Sequence, residues 1–168
     1  MKIFYLFIIL ISTQTSFGQN LDFEKFEFKG LNFYSSKSKI IKKFGDPNKQ
    51  FEPNYDCGGL SAEWQGVKYF TLEYRDVKFT GNEKEKYLIE KINFKNDNTI
   101  ELIYGKHKLN CETELNMLSE IFGKQIKDRI AKGQLNGLFT VQHEKMDDGI
   151  TLEIENGKLI SFGYWTSC

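Results

Sequence analysis

Three cysteines and two histidines are the side chains best suited to do chemistry in this sequence, and their spacing limits what that chemistry can be. Cys57, Cys111 and Cys168 lie far apart along the chain. No Cys or His pair stands at metal-ligand spacing, and Asp147-Asp148-Gly149 reads as a turn, so nothing points to a metal site. A thiol nucleophile needs a histidine base, and Cys57 with His107 or His143 is the only combination available. His143 alternates in phase with Phe139 and Val141, as a half-buried strand residue does, while His107 falls in the turn after Gly105. Glu153 and Glu155 share the solvated side of a strand and form no acid/base pair in a cleft. The reading is therefore no catalytic residue, no metal and no cofactor, with a thiol-dependent enzyme as the alternative these residues leave open.

The other chemistry open to the cysteines is oxidation. In an oxidising compartment thiols pair, and three cysteines leave one over. Cys57 precedes Gly58-Gly59 in a loop, and Cys168 directly follows the aromatic end of a strand, where a cross-link holds down a terminus that would otherwise fray. Cys111 opens a helix and can be buried as a small hydrophobe. The favoured pair is Cys57 with Cys168, and the alternative is Cys57 with Cys111.

The compartment is read from the first residues. Lys2 supplies a positive charge, Ile3 to Ile11 an uncharged apolar run, and Ser16-Phe17-Gly18 the small residues that signal peptidase requires. The pattern predicts a signal peptide over 1–18, cleaved before Gln19, with the apolar run too short to span a bilayer. That places the mature protein in the periplasm or outside the cell. Residues 19–168 have the usual length of one α+β domain. Loss of Lys2 turns 23 basic and 23 acidic residues into a net charge of −1, with no surface-wide attraction for nucleic acid or anionic membrane. Aromatic residues make up 15% of the chain, beside only two prolines, which demands a packed core.

The elements that position these residues follow from periodicity. Phe26 and Phe28 mark a short strand. Ser35 or Ser36 caps a helix whose apolar face is Ile40, Ile41 and Phe44, stopped by Gly45 and Pro47. Asn48 to Gly59 reads as loop. Strands are predicted over Leu60 to Gln65, Val67 to Thr80, Tyr87 to Phe94 and Thr99 to Tyr104, with turns at Gln65-Gly66, Gly81-Asn82 and Asn96-Asp97-Asn98. Within Val67 to Thr80, Phe70, Leu72 and Tyr74 share one parity while Val77 and Phe79 share the other. That predicts a β-bulge or bend at Arg75-Asp76. A second helix spans about Glu112 to Phe122, and Ile126 with Ile130 adds a further turn or two before Gly133. The last strands are Leu138 to Glu144, Ile150 to Glu155 and Lys158 to Trp165, the final two joined by an Asn156-Gly157 hairpin turn.

Both halves, 23–109 and 110–168, read as a helix ending in Phe-Gly followed by an antiparallel meander, a pseudo-repeat. The segment Ser38-Lys39-Ile40-Ile41-Lys42-Lys43-Phe44-Gly45-Asp46-Pro47 resembles the module of outer-membrane assembly lipoproteins of the SmpA/OmlA type and of β-lactamase inhibitory proteins, over roughly ten residues per half. The resemblance implies helices packed on antiparallel sheet. Lys124-Gln125 replaces Asp46-Pro47 in the second half, and no lipid-anchor cysteine follows the leader.

Trp64, Tyr69, Tyr87 and Trp165 are, by parity or position, the aromatics that do not all fit a core and are candidates for an interface. The function they imply is an exported binding module whose partner is another envelope or extracellular protein, with an envelope-structural protein as the alternative.

Overall fold

The computed structural model describes residues 21–95 and 97–168. The expected leader over 1–18, its cleavage before Gln19, and Asn96 of the predicted turn lie outside the described residues. Strands β1 (Phe26–Phe28), β2 (Leu31–Asn32) and β3 (Tyr34–Ser35) precede helix α1 (Lys37–Phe44). The Ser36 hydroxyl accepts from the Lys39 N–H, and Gly45 closes α1 by donating to the Ile41 carbonyl. Strand β4 (Lys49–Phe51) then leads to the short helix α2 (Ala62–Gln65). After it come β5 (Phe70–Glu73), β6 (Val77–Gly81), β7 (Tyr87–Asn93), β8 (Leu102–Tyr104) and β9 (His107–Leu109). Helices α3 (Leu115–Phe122) and α4 (Lys124–Ala131) follow, and β10 (Gly137–Gln142), β11 (Asp148–Glu155) and β12 (Lys158–Thr166) close the chain. The fold class is the expected α+β with antiparallel sheets.

Eight strands form one sheet, in the order β10-β11-β12-β7-β6-β5-β4, with β3 pairing to β7 off that path. β12 pairs with β7 at Lys91, Ile92 and Asn93, and β3 pairs with it at Tyr87 and Leu88, so β3 takes over the β7 edge where β12 leaves it. Four strands, β2-β1-β8-β9, form a second sheet. The last strands of the two proposed repeat halves, β9 and β12, fall in different sheets. The Asn156-Gly157 turn has both residues at positive φ (53° and 74°), the type I′ geometry that suits the twist of a two-residue hairpin.

One face of the large sheet makes the core. Phe139, Leu152, Phe162, Ile92 and Val77 are successive cross-strand partners, and Leu72, Phe79 and Ile89 continue the layer; all are buried. Against them pack Ile40 of α1, Leu118, Ile121 and Phe122 of α3, and Ile126 of α4, with the small sheet contributing Phe26, whose ring lies 5.2 Å from that of Phe162. Each buried large side chain contributes about 1.5–3 kcal/mol, so this layer dominates stability.

Four local readings are corrected. Val67 to Thr80 is a hairpin, not one bulged strand: the Tyr74 N–H donates to the Val77 carbonyl, and Arg75-Asp76 is the turn. The register break lies instead between Lys78 and Phe79, where β7 inserts Glu90 as an extra residue. Leu60 to Gln65 contains the helix α2, capped by the Ser61 hydroxyl on the Trp64 N–H and closed by Gly66, because these local bonds outweigh the strand-like alternation. The expected loop at Asn48 to Gly59 carries β4, and His107 begins β9 rather than sitting in a turn.

Candidate functional site

The second face of the large sheet is polar. Thr140, Thr151, Gly163, Lys91 and Lys78 are successive cross-strand partners, as are Thr71, Thr80, Leu88 and Tyr34. Over part of this face lies the segment 52–66, which includes α2. Leu60 is buried beside Tyr69 and Leu88, and the Gly59 N–H donates to the Thr166 hydroxyl oxygen at 3.0 Å. A Cys57–Cys168 disulfide, with Cα atoms 5.1 Å apart, ties the segment to the chain end, and Cys111 is free and half-buried. The Cys57 sulfur is thereby committed to a bond rather than held as a thiolate beside a histidine.

Beneath the segment, the bulge at Glu90 turns its carboxylate toward hydroxyls. Tyr55 donates to one oxygen and Thr80 to the other, and Thr71 and Thr80 share a 2.6 Å hydrogen bond. Thr71 and Thr80 are buried, and this network gives their hydroxyls the partners that buried polar atoms require. Burial first, then the bond to Glu90 and its charge, pushes the Tyr55 phenol well above its ordinary range.

Where β3 replaces β12 beside β7, the sheet opens and aromatic rings fill the gap. Tyr164 lies 6.0 Å from Phe23 and 6.2 Å from Phe33, and Phe33 meets Tyr34 edge-on at 4.9 Å. The Tyr164 hydroxyl donates to Asp148 Oδ2 at 3.2 Å, whereas Asp148 Oδ1 is buried without a partner. Burial, then the Asp148 charge, pushes the Tyr34 phenol up to about 12 and moves Tyr164 in the same direction; burial holds the Asp148 carboxyl above its usual range. Both phenols are thus neutral donors at physiological pH.

Around this gap run clefts with shared walls. Tyr34 lines a cleft of about 820 Å³ together with both histidines, and also a neighbouring one of about 570 Å³. The His143 ring stacks on Phe23 at 6.2 Å and its Nδ1 accepts from the Lys145 N–H. Met146 joins the larger cleft to a shallower one bordered by Trp64 and Tyr164. Three apolar side chains therefore stand exposed at this end: Tyr34 at 38%, Trp64 at 58% and Met146 at 44%.

Of the aromatics chosen from sequence, Trp64 is exposed and Trp165 half-buried on the polar face. Tyr69 and Tyr87 are corrected: at 7% and 1% exposed they belong to the interior, Tyr69 under the segment 52–66 and Tyr87 beside Ser35 of β3. Tyr34, Met146, Tyr164, Asp148, Tyr55 and Glu90 carried no sequence signal, because each is ordinary on its own strand or loop and acquires neighbours only in the fold. Among the described residues, no group of three or more His, Cys, Asp or Glu side chains is placed to hold a metal ion. No protein-family model matches the chain, and no curated protein and no solved structure gives a significant match.

Proposed function

We propose that the chain is an exported binding module of the bacterial envelope or exterior, working through recognition of another protein rather than through catalysis. The observation that carries this reading is the cluster of exposed Tyr34, Trp64 and Met146 around adjoining clefts at one end of the sheet. Tyrosine, tryptophan and methionine are enriched in the anchoring centres of protein interfaces. The phenols of Tyr34 and Tyr164, held neutral, add hydrogen-bond donors to that apolar surface. Export is supported by the Cys57–Cys168 disulfide, a bond that persists in oxidising compartments, and no helix among the described residues is long and apolar enough to cross a membrane.

The test is retention on an immobilised chain. Envelope and culture fractions of the source cell should yield a stoichiometric partner, and Trp64→Ala with Met146→Ala should lose it while the melting temperature stays unchanged. Equal retention by the double variant would contradict the assignment of this surface.

A further inference from the structure

The large sheet ends on two outer strands, β10 and β4, and the chain treats the two edges differently. β4 is three residues long and opens on Lys49, so shortness and charge blunt it. β10 has neither protection. Its six residues, Gly-Leu-Phe-Thr-Val-Gln, carry no charge and no proline, the composition of a segment that pairs readily with another strand. Leu135 and Leu138 stand 55% and 54% exposed beside it.

Alternation along the ladder with β11 turns the backbone groups of Leu138, Thr140 and Gln142 outward, whereas the His143 N–H turns inward to the Asp148 carbonyl. Side chains of α4 and of the loop after it reach these outward groups. The Gln125 amide donates to the Gln142 carbonyl at 2.8 Å and accepts from the Gln142 N–H at 2.8 Å, the two bonds that a residue of an added strand would make. Arg129 donates to the Leu138 carbonyl at 2.6 Å with its guanidinium 5.7 Å from the Phe139 ring, and Gln134 donates to the same carbonyl at 3.3 Å. Among the described residues no side chain reaches the backbone of Thr140 between them. Ile126 anchors α4 in the core, so its polar neighbours fold around the edge. We infer that Gln125, Arg129 and Gln134 are a guard on the β10 edge, and that the edge, once released, pairs with β10 of a second copy of this chain. The strand is complementary to itself. In an antiparallel two-fold pairing centred on Thr140, the two threonines face each other and Leu138 faces Gln142, so every outward N–H meets a carbonyl and no charge opposes another.

Equilibrium sedimentation of the full disulfide-bonded chain tests this, with Gln125→Ala, Arg129→Ala and Gln134→Ala combined in one variant. Alanine suits a helix and none of the three side chains is fully buried, so the fold should hold. The parent is expected to sediment as a monomer, and the triple variant to dimerise with a Kd of about 1 mM or tighter. Adding Thr140→Lys, which sets two lysines opposite each other at the centre of the pairing, should return the variant to a monomer. Hydrogen exchange on the parent supplies a readout that needs no variant. Relative to intrinsic rates, the Gln142 amide should exchange about fivefold more slowly than the Thr140 amide, the scale of one hydrogen bond. A triple variant that stays monomeric up to about 1 mM would overturn the inference, as would association that Thr140→Lys fails to reverse. Equal protection of the Gln142 and Thr140 amides in the parent would do the same, and so would a parent that already dimerises and is dissociated by Thr140→Lys.

Discussion

The two faces of the eight-stranded sheet are closed by different means. On one, α1, α3, α4 and the small sheet bury a continuous layer of Phe, Leu and Ile, and the backbone groups beneath are paired within elements. On the other, a segment with only one short helix, 52–66, covers threonines and a glutamate through the bond to Cys168, the Gly59–Thr166 hydrogen bond and the Tyr55–Glu90 contact. Apolar layers hold by area and tolerate small shifts. Polar, stapled covers hold at a few points and leave clefts between them: the clefts lined by Tyr164 adjoin the stapled segment, whereas the larger cleft at Tyr34 runs from there past Met146 and His143 to the small sheet. The difference teaches that one face holds by area and the other by a few fixed points, and the proposed binding end adjoins the second.

Cutting the staple should have the largest effect. The bond spans 111 positions, and closing so long a loop limits the unfolded chain by up to ~4–5 kcal/mol in the chain-entropy model. Cys57→Ser with Cys168→Ser is expected to lower the urea midpoint, while Cys111→Ser does little. Equal midpoints for the double variant and the parent would mean that the cover is held by its hydrogen bonds alone.

Leu118→Ala attacks the opposite face. The side chain is fully buried on α3, and truncation should cost ~2–5 kcal/mol without freeing residues 52–66 from hydrogen-exchange protection. Loss of protection at 52–66 with little change in midpoint would reverse the roles assigned to the two faces.

These two faces were unequally legible in sequence. The core-facing helices and the Asn156-Gly157 hairpin announce themselves through strict periodicity, caps and a turn type with a residue signature. The stapled side does not. The Arg75-Asp76 turn lacks the glycine or asparagine that marks a hairpin, so the parity change looked like a bulge. β4 is three exposed residues and becomes a strand only because β5 offers an edge. The disulfide could be inferred from compartment and chain position, but not that it would fix a cover over Glu90. Tyr34, Asp148 and Tyr164 come from β3, β11 and β12, and only the departure of β12 from β7 brings them together.

A smaller effect concerns Asp148. Burial raises its carboxyl above the ordinary range, opposed by the Tyr164 hydroxyl and the charge of His143, while Asp147 and Tyr34 are the other titratable groups facing it. Because the folded pKa exceeds the unfolded one, the carboxyl's favourable contribution is complete below the unfolded pKa and is lost as pH rises through the folded value. Asp148→Asn, which can still accept from Tyr164, should therefore raise the melting temperature slightly at neutral pH and leave it unchanged in acid. A lower melting temperature at neutral pH would show that the charge is stabilising.

Position-specific photo-cross-linking tests the division of labour most directly. A benzophenone side chain is placed at Trp64 or Met146 on the stapled side, and at the exposed Met117 of α3 on the helical side, in protein produced by its own cell. The expected result is one discrete adduct from positions 64 and 146 and none from 117. An adduct from 117 with none from 64 or 146 would contradict it, placing recognition on the helical face.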